Sequence, residues 1–335
     1  MISQTGIGIT GLGRGLPRQC VTSPSLAERL SVTEVWISSR TGIRTRYFIS
    51  GEETAASLSA EAAMQAIRSA SLKSQDIDLI IGCTTSGDYV FPAMACRVQS
   101  LIGAGHSGAY DISASAAGFQ TGLILARDRL VSDPSFKKIL VIGTAVQSPF
   151  INWNDPKISI LLGDASGAAV LERVPEGYGI LASEMVSRGE LYEAARLRGG
   201  GSRHPLREHN ISQGLQYIEM DGVTMARQFI KEQPAVIRQT LQKAGLRFED
   251  VDLYIFHQAN LRLIHLLMKR MGLPLEKTYT NADRYGNTAE ASVPIALYEA
   301  LEQKKVKRDS IVVLSGVGAG CLFATVVMRW YERNS

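Results

Sequence analysis

The stretch that decides the fold is Ala109-Tyr110-Asp111-Ile112-Ser113-Ala114-Ser115-Ala116-Ala117-Gly118-Phe119. Its apolar start predicts a short strand, and its run of small residues predicts a tight turn. The three- to four-residue spacing of Phe119, Leu123, Ala126 and Leu130 predicts an apolar helix after the turn. Such an elbow directs the first helical side chain and the unpaired N–H groups of the helix start toward one point. A nucleophile there would have its anion stabilised by the helix dipole and by a nearby backbone N–H.

Composition and charge narrow the class of protein. The chain has 335 residues, 45% of them hydrophobic and 20% charged, which is enough to bury a large core in one or two globular domains. Four irregularly spaced cysteines provide neither a disulfide framework nor a zinc site, so we predict a cytoplasmic protein without a metal. The net charge of +4 suits an acidic protein or a phosphate-bearing partner and does not require nucleic acid.

Three segments could indicate a membrane span, a secretion signal or a dinucleotide-binding site. Ile311 to Met328 contains no charged residue, but its glycines and β-branched residues predict two buried strands joined by a glycine-rich turn, not a membrane span. The N-terminus lacks a basic region followed by an apolar signal core, so we expect no secretion. Gly6 to Gly11 fits the dinucleotide-binding GxGxxG string. Because only five residues precede it and Leu12 to Pro17 follow it, we predict a first strand and a turn instead.

An internal repeat divides the chain into two halves. Ala70 to Ile81 (ASLKSQDIDLII) and Ala244 to Ile255 (AGLRFEDVDLYI) share a helix end, an Asp-x-Asp-Leu start and a buried strand. The apolar strand predicted at Lys138 to Gly143 has a counterpart at Ile311 to Ser315, a similar distance further on. We therefore predict two βα-rich halves, residues 1–172 and 173–335.

The elbow resembles the nucleophile elbow of the thiolase-like condensing enzymes, in particular β-ketoacyl-acyl-carrier-protein synthase III, which reads Asp-x-x-x-x-Cys-Ala-Gly-Phe. Asp111, Ala117, Gly118 and Phe119 match this pattern, and Ala116 takes the position of the reactive cysteine. The resemblance implies an α/β protein with the duplicated αβαβα layers of the thiolase fold. It also implies decarboxylative condensation of acyl-coenzyme A with a malonyl thioester. Because alanine cannot attack a thioester, we expect neither self-acylation nor condensation from this chain.

Two further strings resemble the active site of the same family. His257-Gln258-Ala259-Asn260 follows the predicted strand of the second half, and Gly286-Asn287-Thr288 is followed at family spacing by Ala291-Ser292. The resemblance implies that His257 and Asn287 bind the malonyl thioester carbonyl while its carboxylate leaves, and that these neutral donors stabilise the enolate.

A glycine-rich string near the C-terminus, Gly316-Val317-Gly318-Ala319-Gly320-Cys321, completes the predicted site. It resembles the strand end that supplies a second oxyanion N–H, which we assign to Ala319. Cys321 is interpreted as structural. Ser115 lies one residue before the nucleophile position, so its side chain should point away from the site.

The string Trp36-Ile37-x-x-Arg40-Thr41-Gly42-Ile43-Arg44 has two interpretations. On its residues alone it predicts a helix with a half-buried tryptophan, a glycine stop and a solvated basic loop. The resemblance implies that Trp36 stacks on the adenine of coenzyme A and that Arg40 binds its phosphate. It also implies that Arg262 contacts the carrier or the nucleotide. Coenzyme A and carrier phosphopantetheine thioesters are thus expected as substrates, and no separate cofactor is expected.

Other features bear on partners. The resemblance implies that Phe91 crosses the interface of a homodimer and closes the partner's acyl pocket; the alternative is an ordinary core aromatic. Cys96, on the following helix, is predicted to pack on its apolar side.

A family arginine before Asp164 is missing, and Pro156 and Lys157 occupy that neighbourhood, so recognition of the carrier or coenzyme should differ. Residues 188–213 predict a mobile surface loop or a cover over the substrate pocket.

Three functions are compatible with the sequence. The first is a synthase-III-type enzyme acting on acyl-coenzyme A and malonyl-acyl-carrier protein, with its cysteine replaced by alanine; the intact His257 and Asn287 favour it. The second is a cysteine-free enzyme, either a malonyl decarboxylase or an acyltransferase of specialised metabolism that needs no covalent intermediate. The third is a non-enzymatic subunit that binds a carrier protein or an active homologue.

Overall fold

The computed structural model describes residues 5–332 of the chain. The strands, numbered in chain order, are β1 (Gly6–Gly15), β2 (Gln19–Thr22), β3 (Thr45–Phe48), β4 (Leu79–Cys83), β5 (Gly108–Ile112), β6 (Lys138–Ala145), β7 (Ala165–Val174), β8 (Gly179–Ser187), β9 (Ala195–Leu197), β10 (Ile218–Met220), β11 (Leu253–Phe256), β12 (Ile311–Gly318) and β13 (Leu322–Arg329). The helices are α1 (Ser23–Leu30), α2 (Glu34–Thr41), α3 (Ala55–Ser69), α4 (Met94–Ile102), α5 (Gly118–Ser132), α6 (Pro156–Ser159), α7 (Glu208–Ile211), α8 (Gly222–Lys243), α9 (Leu261–Met271), α10 (Ala282–Tyr285) and α11 (Ser292–Glu302).

Two mixed sheets form the centre of the molecule. The larger sheet has the strand order β1-β7-β6-β4-β5, and the smaller has the order β11-β12-β13-β8. In the larger sheet β4 runs parallel to both β5 and β6, whereas β7 is antiparallel to β6 and β1. In the smaller sheet β12 runs parallel to β11 and antiparallel to β13. The central strands β4 and β12 are buried along their whole length, as expected for apolar strands covered on both faces.

Helices cover both faces of each sheet. Helices α5 and α11 lie between the sheets, α3 and α4 cover the outer face of the larger sheet, and α8 and α9 cover the smaller one. The predicted periodic residues Phe119, Leu123, Ala126 and Leu130 are fully buried in the middle layer. The predicted order of αβαβα layers is therefore confirmed.

The repeat found in the sequence has a matching local structure in both halves. Asp76 and Asp250 each accept a hydrogen bond from the backbone N–H three residues earlier, at 2.8 Å, and so close the turn that leads into β4 or β11. Every strand of the larger sheet lies within residues 6–174 and every strand of the smaller within 179–329. A domain boundary at residues 172 and 173 remains a prediction.

The glycines of β1 allow close packing of a helix, whereas the sequence predicted that those after Gly11 form a turn. The expected turn at Leu12 to Pro17 is wrong in its first part, because β1 continues as one strand to Gly15. A Cβ at Gly11, Gly13 or Gly15 would lie 2.2 Å from a carbonyl oxygen of α3. The glycines let this helix approach the strand closely.

Two further expectations can be compared with the structure. Ile311 to Met328 forms β12 and β13, as predicted, and no helix among residues 5–332 is long and apolar enough to cross a bilayer. Cys96, in contrast, is exposed and not packed on the apolar side of α4, because Met94, Ala95 and Val98 form the buried face of that helix.

Candidate active site

The elbow quoted above joins β5 to α5 as predicted. Ser115 takes a left-handed backbone conformation (φ 47°), a short 3₁₀ turn covers Ser115–Ala117, and α5 begins at Gly118. This sharp reversal places Ala116, which is only 5% exposed, at the edge of a cavity. Asp111 supports the elbow from behind, because its carboxylate accepts the backbone N–H groups of Met94 and Ala95 at the start of α4.

All four residues predicted for catalysis line this cavity, which has a volume of about 240 Å³ and is called the elbow cavity below. Ala116 comes from the elbow, His257 follows β11, Asn287 follows α10, and Ala319 follows β12. The strand end is glycine for a steric reason, since a Cβ at Gly318 would lie 2.4 Å from the carbonyl oxygen of Ala114. The fold thus brings together residues separated by as many as about 200 positions in the sequence.

His257 is held in place and kept neutral. Its ring is 4% exposed, and its Nδ1 lies 2.8 Å from the hydroxyl oxygen of Ser292, at the start of α11. Burial lowers the pKa of His257 to about 4, because the positive imidazolium is costly in this environment. The side chain therefore carries no charge near neutral pH.

Asn287 is fixed from several sides. Its Oδ1 accepts the backbone N–H of Ala289 at 3.0 Å, which leaves the amide NH₂ group as the donor available to the cavity. Its backbone carbonyl accepts both the N–H of Gly163 and the side-chain amide of Gln147, at 3.0 and 2.9 Å. A neutral imidazole and a neutral amide consequently line the same cavity.

A second cavity of about 260 Å³ extends from the site to an outer end at Asn260. It shares His257 and Asn287 with the elbow cavity and extends along Ala259, Asn260 and Leu263. Asn260 donates its side-chain amide to the carbonyl of Arg40 at 3.0 Å.

Trp36, Arg40 and Arg262 lie together beside this outer end. The guanidinium of Arg40 stacks over the ring of Trp36 at 4.4 Å, and Arg262 reaches the carbonyl of Ser38 at 3.4 Å. Trp36 is half-buried on α2, which ends at Gly42 in a left-handed conformation, as the residues alone predicted. The three residues proposed for one ligand are thus grouped, although they come from both halves of the chain.

Phe91 lines neither cavity, and neither do Trp36, Arg40 and Arg262. Phe91 is 83% exposed on the connection between β4 and α4, next to the equally exposed Tyr89 and Val90. The alternative of an ordinary core aromatic is therefore wrong. A surface role at a dimer interface remains a prediction.

The segment 188–213 contributes directly to the site. Its strand β9 pairs with β10, and Ala195, Arg196 and Leu197 line the elbow cavity. At least this part of the segment covers the cavity, which was one of the two predicted roles.

Two neighbours of the site were missed by sequence reasoning. Thr85 lines the elbow cavity, and Glu290 lies directly behind it with its carboxyl hydrogen-bonded to the Thr85 hydroxyl at 2.8 Å. A signal for Glu290 was present, since it is the one charged residue in the small-residue run Thr288 to Ser292.

Comparison with known proteins agrees with this architecture. Residues 110–189 match the family described as 3-oxoacyl-[acyl-carrier-protein (ACP)] synthase III, and residues 241–330 match its C-terminal part. The β-ketoacyl-[acyl-carrier-protein] synthase III of Symbiobacterium thermophilum is 38% identical over 324 residues, covering 97% of this chain and 98% of that protein.

Solved structures give the same result. The crystal structure of 3-oxoacyl-[acyl-carrier-protein] synthase III from Aquifex aeolicus is 35% identical, with a TM-score of 0.89 over 97% of this chain and 100% of that one. The synthase III from Pseudomonas aeruginosa is 30% identical, with a TM-score of 0.90 over 98% and 100%. The layered fold and its cavity thus define a condensing enzyme of the thiolase fold, within the acyltransferases. More narrowly, the chain belongs to the β-ketoacyl-acyl-carrier-protein synthase III family.

Proposed function

We propose that this chain is an enzyme of the synthase III type that retains the malonyl half of the condensation and lacks the self-acylation half. The observation that carries the proposal is the elbow cavity, in which His257 and Asn287 face a nucleophile position occupied by Ala116. The two halves of the reaction depend on different residues, so one can be lost while the other remains.

The malonyl half uses His257 and Asn287 as neutral donors. The Ser292 hydroxyl lies 2.8 Å from both the Ala289 carbonyl oxygen and Nδ1 of His257, and it has one proton to donate. The proposal requires the arrangement in which this proton goes to Nδ1, because the ring proton then lies on Nε2 and is available to a thioester carbonyl. Asn287 offers its amide N–H to the same oxygen. As the malonyl carboxylate leaves as CO₂, the electron pair of the breaking carbon–carbon bond moves toward the thioester carbonyl. Both donors bind the resulting enolate oxygen more strongly than the starting thioester carbonyl oxygen.

The acyl half requires a nucleophile that this chain does not have at the elbow. Ala116 has only a methyl group, so no acyl-enzyme forms there. A cysteine at this position would attack an acyl-coenzyme A thioester, and the backbone N–H of Ala319 would stabilise the resulting oxyanion. The variant is then expected to catalyse condensation; the shared lining of one cavity by Ala116, His257, Asn287 and Ala319 supports this expectation.

Substrate delivery is assigned to the second cavity and its outer end. Trp36, Arg40 and Arg262 would bind the nucleotide part of coenzyme A or the acyl carrier protein, because stacking and planar cations suit adenine and phosphate. These thioesters are substrates, and no further cofactor is proposed. Exposed Phe91 would pack against a second copy in a homodimer, and the proposed compartment is the cytoplasm.

The experiment compares this chain with its Ala116→Cys variant. Each protein is given acyl-coenzyme A and followed by intact mass, and then malonyl-acyl-carrier protein is added and the condensed product and CO₂ are measured. We expect an acyl adduct and a condensed product only with the variant. The parent chain should release CO₂ from the malonyl thioester without forming a longer product.

Two other results would point to the alternative functions. If the variant acylates but transfers the acyl group to a small hydroxyl, amine or thiol acceptor, the chain is a specialised acyltransferase. If neither protein reacts with either thioester, the catalytic assignment is wrong and a carrier-binding role replaces it.

A further inference from the structure

A buried carboxyl group lies directly behind the elbow cavity and has no part in the steps described above. Glu290 is 1% exposed and belongs to the 3₁₀ turn that precedes α11. One carboxyl oxygen, Oε1, shares a hydrogen bond of 2.8 Å with the hydroxyl of Thr85. The other, Oε2, has no hydrogen-bond partner among the residues that the structure describes. A buried and half-satisfied carboxyl is unusual unless it has a function.

The position of this carboxyl connects it with the reacting groups. Its side chain lies against the start of α5, since a Cβ at Gly118, two residues after Ala116, would be 3.2 Å from Glu290 Cγ. Thr85 is exposed and lines the elbow cavity together with Ala116 and His257. The Thr85 hydroxyl therefore stands between the carboxyl and the cavity.

The chemistry of the malonyl half requires a proton at this point. When the bond between C2 and the malonyl carboxylate breaks, the electron pair becomes an enolate and CO₂ leaves. With an acyl group on the elbow, the enolate would form a carbon–carbon bond; with Ala116 there is no acyl group to attack. The enolate must then return its electron pair to C2, which takes up one proton per turnover and gives an acetyl thioester.

We propose that Glu290 and Thr85 form a proton relay that delivers this proton to C2 of the enolate. The Thr85 hydroxyl gives its proton to the carbon, and the Glu290 carboxyl passes its own proton to Thr85. After the product leaves, solvent that reaches the exposed Thr85 hydroxyl returns one proton to Glu290 through it. The relay rests on the proposed malonyl activity of the site. It makes the chain a decarboxylase of malonyl thioesters, with Thr85 as a catalytic residue and Glu290 acting through it.

The electrostatics suit a proton donor. Burial raises the pKa of Glu290 to about 7, and the hydrogen bonds from its own backbone N–H and from Thr85 only partly oppose this effect. The facing groups do not compete for the proton: the pKa of Cys83 on β4 is raised well above its usual value by burial, and that of His257 is lowered to about 4. The carboxyl is therefore protonated below about pH 7 and loses its proton above it.

The test measures CO₂ release and acetyl-coenzyme A formation from malonyl-coenzyme A between pH 5.5 and 8.5. The variants are Glu290→Gln, which keeps the shape of the side chain, and Thr85→Val, which removes only the hydroxyl. Thr85→Ser is the conservative variant, and Glu176→Gln, on an exposed turn, controls for loss of a surface charge. We expect Glu290→Gln and Thr85→Val to slow acetyl-coenzyme A formation by about tenfold or more, and Thr85→Ser to recover most of the rate. The decline of the parent's rate above about pH 7 should be absent in Glu290→Gln.

A second background separates a relay from a structural role. In the Ala116→Cys chain the enolate attacks an acyl group and needs no proton. Glu290→Gln should therefore leave condensation there within about twofold, whereas a folding defect would lower both reactions.

The outcomes are distinct. If the parent decarboxylates malonyl-coenzyme A and Glu290→Gln keeps both its rate and its pH profile, the relay is refuted and the proposed function stands. Equal losses of decarboxylation and of condensation in Glu290→Gln would make Glu290 structural. If the parent releases no CO₂, the proposed malonyl activity is refuted, and the relay with it.

Discussion

The two halves of the molecule contain the same elbow with different side chains. In the first half, Ser115 has a φ of 47° and is followed by Ala116; in the second, Ala289 has a φ of 37° and is followed by Glu290. Each elbow is a short 3₁₀ turn that opens a helix of the middle layer, α5 or α11. The same backbone conformation thus positions a methyl group in the first half and a buried carboxyl group in the second.

Each elbow rests on an inner strand of the opposite sheet, β12 for the first elbow and β6 for the second. A Cβ at Gly316 of β12 would lie 2.9 Å from the carbonyl oxygen of Ala116, and a Cβ at Gly143 of β6 would lie 2.2 Å from that of Glu290. Both positions are glycine because the backbone of the elbow passes too close to leave room for a side chain. The fold constrains the backbone of both elbows, so their chemistry can diverge through the residue after the left-handed position.

The largest difference is expected between Cys83, at the end of β4, and His257, directly after β11. Cys83 ends β4 and is fully buried behind the second elbow, whereas His257 follows β11 and lines the elbow cavity. We expect His257→Ala to slow CO₂ release from malonyl-coenzyme A by about 10²- to 10³-fold, or about 3–4 kcal/mol, because it removes one of two enolate donors. Cys83→Ala should change the rate by less than about threefold once the folded fraction is matched. Equal losses in both variants would contradict the assigned asymmetry.

The second effect distinguishes the elbows by their pH-dependent stability. The folded pKa of Glu290 is raised from 4.5 to about 7, so the native state holds this proton more tightly than the unfolded chain. Below pH 4.5 both states are protonated and the group contributes nothing; as pH rises, the unfolded state is favoured, and the penalty reaches about 3 kcal/mol above pH 7. The free energy of unfolding in urea is measured for Glu290→Gln and for the parent chain at pH 5 and pH 8. The variant should gain stability relative to the parent at pH 8, and this gain should be much smaller at pH 5. Exposed Glu176→Gln is the control, and a pH-independent difference for Glu290→Gln would show that its carboxyl titrates normally.

The sequence predicted the first elbow better than the second for a physical reason. Apolar periodicity, the small-residue turn and the repeat around Asp76 and Asp250 are local signals, and the structure contains all three. The link between Glu290 and Thr85 joins positions about 200 residues apart and leaves no periodic trace. The glycines of β1 were misassigned for the same reason, since the partner that requires them is the distant helix α3.

Cavity-lining residues followed the same rule. Ala116, His257, Asn287 and Ala319 could be named because each lies in a short string of characteristic residues. Arg196 carries no such string and reaches the cavity only through the pairing of β9 with β10. Residues positioned by tertiary contacts alone had to be found in the structure.

The third effect compares Gly143 and Gly316, the two glycines that the elbows pack against. At Gly143 an added methyl group would meet backbone, the carbonyl of Glu290 at 2.2 Å. At Gly316 the contacts are longer, 2.9 Å to the Ala116 carbonyl and 2.8 Å to the end of the Gln120 side chain, which can move. We expect Gly143→Ala to lower the free energy of unfolding by about 2 kcal/mol more than Gly316→Ala. Gly105→Ala is the control for glycine replacement, because an added methyl group there meets no atom within 4 Å and Gly105 has no positive φ. Equal losses of stability in Gly143→Ala and Gly316→Ala would contradict the expectation that the second elbow packs more tightly on its strand than the first.

The smallest effect tests whether both halves share the binding of coenzyme A. Arg40 lies on α2 of the first half and stacks on Trp36, while Arg262 lies on α9 of the second half and contacts the carbonyl of Ser38. Because each is a solvent-accessible cation, we expect Arg40→Ala and Arg262→Ala each to weaken malonyl-coenzyme A binding by about tenfold, roughly 1.4 kcal/mol, with little change in kcat. Arg18→Ala, whose side chain is 91% exposed at the start of β2, is the matched control for lost positive charge. Dissociation constants for coenzyme A, which carries the same nucleotide and is not consumed, are measured by calorimetry at low and physiological salt. Binding unchanged in both variants would remove Arg40 and Arg262 from the proposed coenzyme site.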